Sequence, residues 1–205
     1  MGIYGRHIVP RIVNATCGAA SAHPHRARVC AGLHGRVLEV GFGSGHNIPF
    51  YPPAVTLVEA IEPSEVAWKL AGPRLTASRV PISRSGLDGR SLPLPDASCN
   101  TALSTFTLCT IPDVEAALRE IRRVLMPGGT LHFVDHGLAP DEKVRRWQHR
   151  FDPLQQRVFG GCHLTRPIAE LLITAGFELR ELDSFYEPGA PKAFSAESIG
   201  VAVSA

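Results

Sequence analysis

Three glycines stand at alternate positions of one short stretch, at Gly41, Gly43 and Gly45. Glycine accepts positive φ angles and has no Cβ, so the backbone here can turn tightly and lie directly against a ligand. A carboxylate follows at Glu62, 17 positions beyond Gly45, where the ribose of a nucleotide would present two hydroxyls. These residue types and their spacing predict a binding site for a nucleotide-like molecule.

Two strands must position this loop, because the segments that lead into Gly41 and Glu62 are apolar and rich in β-branched residues. Residues 36–40 and 55–61 therefore read as buried strands. We also predict strands at 80–85, 100–108, 130–135, 177–186 and 198–203, and helices at 64–78, 114–125, 141–151 and 166–175. Asp152-Pro153 is predicted to restart a helix, and Thr165 to cap the last one.

This alternation predicts an α/β fold, a doubly wound, Rossmann-like and mostly parallel seven-stranded sheet with an antiparallel last strand and helices on both faces. In such a sheet, ligands bind beyond the carboxyl ends of the strands. The polar and aromatic residues predicted at such ends, besides the three loop glycines, are Glu62, Asp88, Phe106, Asp135 and His136. Their agreement across separate strands supports a ligand site more strongly than the glycine loop does alone.

Four segments resemble one family. Residues 39–45, Glu-Val-Gly-Phe-Gly-Ser-Gly, resemble motif I of the class I S-adenosylmethionine (SAM) methyltransferases, and residues 61–64 resemble the acidic end of their second strand. Residues 87–96 are similar to the segment that closes over adenine, and residues 119–129 to the helix and Pro-Gly-Gly turn before strand five. The stretches 108–109, 135–137 and 160–166 narrow the resemblance to a small bacterial subgroup similar to the methyltransferase-like 7 type thiol S-methyltransferases.

The resemblance implies SAM as the cofactor, S-adenosyl-L-homocysteine as its product, and no metal. The residues that it places at the cofactor are Glu39, Gly41, Phe42, Gly43, Gly45, Asn47, Glu62, Pro63, Leu87, Asp88, Gly89, Thr105 and Phe106. Asp88 can accept a hydrogen bond from the adenine amino group, or it can form an Asx turn within its own loop. Arg90 stands where many relatives have glutamate, and Asn100 where they usually have aspartate.

The predicted catalytic residues are His136, His163 and Asp135. Methyl transfer mainly requires the acceptor to be held in line with the methyl carbon, and a base is needed only for an acceptor that carries a proton. Histidine titrates near neutral pH, so His136 is the first candidate to act as base or to position the acceptor. His163 is the second, and Asp135 could orient either. The alternative for each is a polar residue at the cleft edge.

We expect one methyltransferase domain over residues 1–205, with an N-terminal helical cap over the cleft at 1–33 and a helical insertion at 138–170 that forms the acceptor pocket. Tyr4, Cys162 and His163 are predicted to line that pocket. For Tyr4 a packing role fits equally well. For Cys162, packing within its loop is favoured over a nucleophilic or metal-binding role, because adjacent side chains such as those of Cys162 and His163 normally diverge.

The predicted function is transfer of a methyl group from SAM to a small, apolar acceptor, with a thiol favoured over an amine or a hydroxyl. One alternative is a nicotinamide-dependent oxidoreductase. It is disfavoured because dinucleotide sites usually place the third glycine three residues after the second, whereas Gly45 follows Gly43 by two, and because no Tyr-x-x-x-Lys pair is present. A second alternative is a SAM-binding protein without catalytic activity.

The composition is that of an ordinary globular chain of 205 residues, 44% of them hydrophobic. A net charge of +2 gives no case for a nucleic-acid partner, and the expected partner is a small-molecule acceptor. The five cysteines are scattered and never spaced as Cys-x-x-Cys, which indicates a reducing cytoplasm. No apolar run approaches the ~20 residues of a membrane span, so we expect no stable membrane anchor. No feature specifies an oligomeric state.

Overall fold

The computed structural model describes residue 2 and residues 4–204. Seven strands form one sheet: β1 (Gly35–Val40), β2 (Val55–Ile61), β3 (Ile82–Gly86), β4 (Cys99–Thr105), β5 (Leu125–His136), β6 (Phe177–Tyr186) and β7 (Ala196–Ser204). Their order is β3-β2-β1-β4-β5-β7-β6. The pairs among β1 to β5 are parallel, and β7 lies antiparallel between β5 and β6. The predicted sheet is confirmed; residues 1, 3 and 205 of the predicted domain lie outside the described residues.

In the described part of the chain, seven α-helices connect or cover the strands. They are α1 (Val9–Cys17), α2 (His23–Cys30), α3 (Glu65–Thr76), α4 (Val114–Val124), α5 (Glu142–Val158), α6 (Ile168–Thr174) and α7 (Lys192–Ser195). A π-helical turn at Tyr4–Ile8 precedes α1, and 3-10 turns lie at Ala20–Ala22 and Ile48–Phe50. Within the described ranges, no helix combines the length and apolar character that crossing a bilayer requires.

Two of the helices begin at residues whose side chains cap them, α3 at Ser64 and α4 at Asp113. The Ser64 hydroxyl accepts a hydrogen bond from the Ala67 N–H at 3.1 Å, and the Asp113 carboxylate accepts one from the Ala116 N–H at 3.0 Å. These bonds satisfy N–H groups that the first turn of a helix leaves without partners. The apolar stripe of α4 is buried, at Val114, Ala117, Leu118, Ile121 and Val124.

The structure corrects the prediction of two helices around Pro153. α5 is continuous over 17 residues and contains Pro153 in its interior, although proline removes one intrahelical hydrogen bond. The Asp152 carboxylate does not cap a second helix, because both of its oxygens have other partners. Oδ1 accepts from the Leu164 N–H at 2.6 Å, and Oδ2 accepts from Nε2 of Gln156 at 2.6 Å. These contacts bind α5 to the loop that follows it.

The start of α6 also differs from the prediction. The helix begins at Ile168 and not directly after Thr165. Arg166 explains the later start, because its guanidinium Nη1 donates to the carbonyls of Leu108 at 2.7 Å and Ile111 at 2.6 Å. The chain must reach across to the loop after β4 before it can turn into the helix.

β5 begins earlier than predicted, at Leu125, and passes through the Pro-Gly-Gly turn at 127–129. Its register against β4 shifts between the pairs Leu125–Cys99 and Thr130–Thr101. Gly128 has a φ of +74°, which a glycine adopts without strain. The turn that was predicted to separate helix and strand is thus a bulge within the strand.

The core lies on both faces of the sheet. On one face, buried side chains of β1, β4 and β5 pack against α4 and α6, through residues such as Leu118, Ile121 and Leu172. On the other face, Val29 and Cys30 of α2 pack with Val37 and other strand residues. Because both faces are covered, the side chains that remain available to a ligand are those at the carboxyl edge of the sheet.

Candidate functional site

The glycine loop after β1 adopts the predicted conformation. Gly41, Gly43 and Gly45 have φ angles of +76°, +58° and +75°. A Cβ on Gly41 would collide with the Thr107 side chain, whose Oγ1 would be only 2.0 Å away. A Cβ on Gly43 would have more room, with the carbonyl oxygen of Gly41 at 3.9 Å. Gly41 is therefore required by packing against the loop after β4. Gly43 has open space beside it, where a ligand can lie against the backbone.

Glu62 ties the end of β2 to this loop. Its Oε2 accepts a hydrogen bond from the Gly43 N–H at 2.7 Å, and its Oε1 accepts one from the Ser64 N–H at 2.6 Å. Burial raises the pKa of the carboxyl, and these two hydrogen bonds partly offset that effect. Each carboxylate oxygen retains acceptor capacity for another donor, such as a ribose hydroxyl. Pro63, which follows, is exposed.

A buried polar network lies at the base of the loop. Nδ2 of Asn47 donates to Glu39 Oε1 at 2.9 Å and to Thr105 Oγ1 at 3.0 Å, and the Tyr51 hydroxyl donates to Oε2 of Glu39. Burial raises the pKa of Glu39 to about 7, although the hydrogen bonds from Tyr51 and Asn47 oppose the shift. Glu39, Asn47 and Thr105 were predicted to contact the cofactor, but these side-chain groups bind other protein groups.

Arg26 completes this network and was not predicted. Its Nη1 donates to Asn47 Oδ1 at 2.6 Å and to Thr105 Oγ1 at 3.1 Å, and its Nη2 donates to the Cys17 carbonyl at 2.7 Å. Its Nε is buried without a hydrogen-bond partner among the described residues. Helical spacing is the signal that could have found it, because Arg26 precedes the buried Val29 and Cys30 by three and four positions and so lies on their face of α2.

The segment predicted to close over adenine forms an Asx turn. The Asp88 Oδ1 accepts the Arg90 backbone N–H at 2.9 Å, and its Oδ2 accepts from the Arg90 guanidinium at 2.8 Å. Hydrogen bonding by Arg90 lowers the pKa of Asp88. Leu87 is 57% exposed, and Gly89 lies against Val40, since a Cβ there would be 3.1 Å from the Val40 Cγ1. Arg90 thus acts as a partner of Asp88 in this turn.

Asp135 holds the loop after β4. Its carboxylate is fully buried and accepts backbone N–H groups from Thr107 at 3.0 Å, Leu108 at 2.8 Å and Cys109 at 3.1 Å. Burial raises the pKa of Asp135, and the hydrogen bond with the Cys109 thiol and these backbone hydrogen bonds oppose the shift. The prediction that Asp135 orients a histidine is corrected, because the hydrogen bonds described for its carboxylate come from the backbone of this loop and from the Cys109 thiol. Asp135 is a positioning residue for that loop.

Phe106 begins the same loop in a strained conformation. Its φ is +53°, in the left-handed region that residues with a Cβ rarely adopt. The N–H of Phe106 donates to the Val134 carbonyl at 2.8 Å, and the next residue is held by Asp135. The ring lies 5.5 Å from the His136 ring and 5.4 Å from the Arg26 guanidinium carbon. Such strain persists only where surrounding contacts impose it, and it is typical of functional sites.

Cys109, His136 and Cys162 converge beside Phe106. The two sulfur atoms are 3.4 Å apart, and ligand atoms of all three residues lie within 4.8 Å of one another. The hydrogen bond with Cys109 lowers the pKa of Cys162, and His136 adds to that effect. Burial disfavours the charged imidazole, but contact with Cys162 and the charge of Glu197 raise the pKa of His136 overall. The loop-packing role favoured for Cys162 is thus incomplete, because its thiol belongs to a polar cluster.

His163 and Tyr4 lie on other contacts. His163 diverges from Cys162 as expected, and its Nδ1 is 3.0 Å from Nε2 of Gln156 and 3.4 Å from a carboxylate oxygen of Asp152. The Tyr4 hydroxyl donates to the carbonyl of Val158 at 3.0 Å, which joins the N-terminal turn to the end of α5. The structure therefore brings His136 and Cys162 together but places His163 against α5.

Comparisons with known proteins agree with this architecture. Residues 38–133 match the family described as a methyltransferase domain. The chain is 33% identical over 164 residues to thiol S-methyltransferase TMT1A of Homo sapiens, a match that covers 77% of this chain and 67% of the human protein. It is 33% identical over 154 residues to thiol S-methyltransferase TMT1B of Homo sapiens, which covers 71% of this chain and 62% of that protein.

The fold has close counterparts among solved structures. A SAM-dependent methyltransferase of Thermotoga maritima superimposes with a TM-score of 0.69 over 98% of this chain and 100% of its own, at 22% identity. At 22% identity, the structural similarity establishes the fold. The 33% identity to human TMT1A establishes the family. Together they favour the methyltransferase prediction over the oxidoreductase and the non-catalytic SAM-binding protein. The chain belongs to the class I SAM-dependent methyltransferases.

Proposed function

We propose that this methyltransferase transfers the methyl group of SAM to the sulfur of a small, apolar thiol and releases S-adenosyl-L-homocysteine. The observation that carries the proposal is the corner where β4 and β5 end. His136 is partly exposed there and lies against the Phe106 ring. The neighbouring carboxylate, Asp135, is buried and occupied by backbone N–H groups. The corner thus combines an imidazole with an aromatic ring.

A thiol suits this corner better than a hydroxyl does. The unperturbed pKa of a cysteine-like thiol is about 8.5, so its reactive thiolate forms near neutral pH without a strong base. An aliphatic hydroxyl needs far more help to lose its proton, and Asp135 is not free to provide it. The similarity to proteins named thiol S-methyltransferases supports the same acceptor class.

The cofactor arrangement follows from the open side of the glycine loop. When bound, SAM supplies a methyl group on a positively charged sulfur, which is a strong electrophile. The backbone at Gly43 lies along the amino-acid end of the cofactor, and the buried Nε of Arg26 is available to its carboxylate. The Glu62 carboxylate accepts hydrogen bonds from the ribose hydroxyls, and residues 87–89 border the adenine. The free space at Gly43 and the unpartnered nitrogen of Arg26 both fit a ligand with an anionic tail.

We assign residues 1–33 and 138–170 to the walls of the acceptor pocket, where they exclude water from the reaction. The carbonyl of Asn14 in α1 lies 3.1 Å from Nε2 of His46 in the glycine loop. A Cβ on Gly160 would lie 2.7 Å from Cγ1 of Val9, so α1 also packs closely against the end of α5. α1 thereby spans from the cofactor loop to the end of α5, and we assign it a part in excluding water while the acceptor and methyl carbon are held in line.

The cysteines are consistent with a reducing compartment, and we place the enzyme in the cytoplasm. They are five in number, scattered along the chain and never spaced as Cys-x-x-Cys, which is typical of proteins from a reducing compartment.

Methyl transfer from labelled SAM to matched acceptors tests the proposal. Benzenethiol, aniline and phenol share one apolar skeleton and differ in the accepting atom, and hexanethiol adds an aliphatic thiol. We expect methylation of both thiols at rates at least about 100-fold above the other two, a difference of about 3 kcal/mol in the barrier. Preferential methylation of aniline or phenol, or no turnover with either thiol, would contradict a thiol acceptor.

A further inference from the structure

The cluster of Cys109, His136 and Cys162 has the composition of a metal site. Its ligand atoms lie within 4.8 Å of one another, and the two sulfurs are 3.4 Å apart. A tetrahedral zinc ion with Zn–S bonds of about 2.3 Å separates two sulfur ligands by about 3.8 Å. A change of a few tenths of an ångström in side-chain position would therefore admit the ion.

The surrounding contacts hold these ligands before any ion binds. The N–H of Cys109 donates to Asp135, and the carbonyl of Cys109 accepts the His163 N–H at 2.9 Å, so the two cysteine-bearing loops are joined by their backbones. Nε2 of Gln155 lies 3.7 Å from the sulfur of Cys162. Partners of this kind orient metal ligands and contribute strongly to affinity.

Glu197 places a carboxylate within ion-pair distance of His136, on the side where a metal-binding histidine usually has its acceptor. Its Oε1 lies 3.6 Å from Nε2 of His136, and its side chain is only 6% exposed. Its Oε2 is buried without a hydrogen-bond partner among the described residues. A carboxylate behind a histidine fixes the ring orientation and makes the imidazole a better ligand.

We propose that Cys109, His136 and Cys162 bind one zinc(II)-class ion. Two thiolates and an imidazole select a borderline-soft metal such as zinc over magnesium or calcium, which require oxygen ligands. Three protein ligands leave a fourth position, as in catalytic zinc sites. Both cysteines are buried and the His136 side chain is 24% exposed, so exchange with the cleft occurs on the histidine side.

The role of the ion rests on the proposed function. A thiol that coordinates zinc loses its proton and is held as a thiolate at a fixed point. The acceptor sulfur would occupy the fourth position, and its proton would pass to solvent. In that state His136 acts on the acceptor through the ion and does not touch the acceptor sulfur.

Cobalt(II) is a direct probe of such a site. The full chain is stripped of metal with a chelator under a reducing agent and then titrated with Co²⁺. We expect one equivalent to bind with a thiolate-to-cobalt charge-transfer band and tetrahedral visible absorption, both removed by Zn²⁺. Cys109→Ser and Cys162→Ser should each weaken the affinity about 100-fold or more.

Matched variants separate ligation from folding. His136→Cys should retain Co²⁺ binding because it supplies another soft ligand, whereas His136→Ala should weaken it as the cysteine variants do. Cys17→Ser, a half-buried thiol outside the cluster, should leave the affinity unchanged. SAM affinity measured on each variant verifies that the fold is intact.

A cobalt complex without the charge-transfer band, or equal Co²⁺ affinity in Cys109→Ser and the unaltered chain, would overturn the site. The same holds if the reduced chain binds no metal and hydrogen peroxide instead oxidises Cys109 and Cys162 to a disulfide. Metal binding without methylation of any thiol would refute the proposed function, but the proposed metal site would stand. Thiol methylation by a chain that binds no Co²⁺ would refute only the site.

Discussion

The two halves of the carboxyl edge are built in different ways. On the cofactor side, the contacts within the glycine loop and with Glu62 join residues close in the chain, such as Asn47 with Glu39, 8 positions apart, and Gly43 with Glu62, 19 positions apart. The network at the base of the loop adds a contact from farther away, between Asn47 and Thr105, 58 positions apart. On the acceptor side, formed by Phe106, the 107–109 loop, Asp135, His136 and Cys162, they join Cys109 with Asp135, 26 positions apart, and with Cys162, 53 positions apart.

This difference indicates which part of the site can change without disturbing the other. The glycine loop and Glu62 belong to one strand–loop–strand unit, so this backbone can recur wherever the same cofactor is used. The acceptor side depends on two loops that meet only in the folded chain. Changes in either loop can therefore alter the acceptor while the cofactor site stays intact.

The largest expected effect is on the cofactor side. Gly43→Val should weaken SAM binding by about 100-fold or more, or about 3 kcal/mol, because the side chain would fill the open space beside the loop. Calorimetric titration with SAM measures the change. Gly128→Val is the matched control, since Gly128 also has a positive φ and open space but lies in the bulge of β5. Undiminished SAM affinity in a folded Gly43→Val chain would remove the cofactor-side assignment.

The acceptor side should respond in the opposite way. His136→Ala should lower turnover about 100-fold while SAM affinity changes little, because the residue positions the acceptor and not the cofactor. Steady-state rates and SAM titration on the same samples separate the two. His163→Ala is the control, because His163 lies against Asp152 and Gln156 and should lose only a small fraction of turnover. An equal loss of SAM affinity and turnover in His136→Ala would make His136 structural.

Asp135 tests how the acceptor side is held together. Asp135→Asn should lower the free energy of unfolding by about 2–3 kcal/mol, because the amide cannot accept all three N–H groups of the 107–109 loop. Urea unfolding measures the loss. Asp113→Asn, which changes a helix cap with one such bond, should cost much less. If both variants lose the same stability, the loop is not held by Asp135 as described.

The same difference in sequence separation explains why the cofactor side was predicted better from the sequence than the acceptor side. The positions of the loop glycines and of Glu62 follow from apolar runs and residue spacing within about 25 residues, which sequence patterns report well. The convergence of Cys109 with Cys162 has no local signal, because each cysteine stands alone in its loop. The sequence therefore favoured packing for Cys162 and expected no metal, and the structure supplied the juxtaposition that led us to propose one.

Long polar side chains are a second reason why parts of the site were not predicted from the sequence. Sequence resemblance selected Glu39, Asn47 and Thr105 as cofactor contacts, but it could not show that Arg26 lies among them and engages Asn47 and Thr105. Helix boundaries failed for a similar reason at Arg166, where two tertiary hydrogen bonds delay the start of α6. Long polar side chains reach distant partners, and local propensity carries no information about those partners.

The smallest expected effect concerns the buried network of the cofactor side. Burial raises the pKa of Glu39 to about 7, above its ordinary value of 4.5, so the folded state binds the proton more tightly than the unfolded state. Its contribution to stability is therefore largest at low pH and is lost as pH rises from about 4.5 to 7. Glu39→Gln removes this loss, because the amide stays neutral and can still accept from Asn47 and pair with Tyr51.

The measurable quantity is the difference in unfolding free energy between Glu39→Gln and the unaltered chain. It should shift in favour of the variant by on the order of 1–3 kcal/mol between pH 5 and pH 7.5. Comparing the two chains cancels the other titrating groups that they share. Glu115→Gln, on the exposed face of α4, should show no such shift. A pH-independent difference for Glu39→Gln would mean that Glu39 is ionised in the folded chain, with its charge balanced by Arg26, and the cofactor side would then be organised around a buried ion pair.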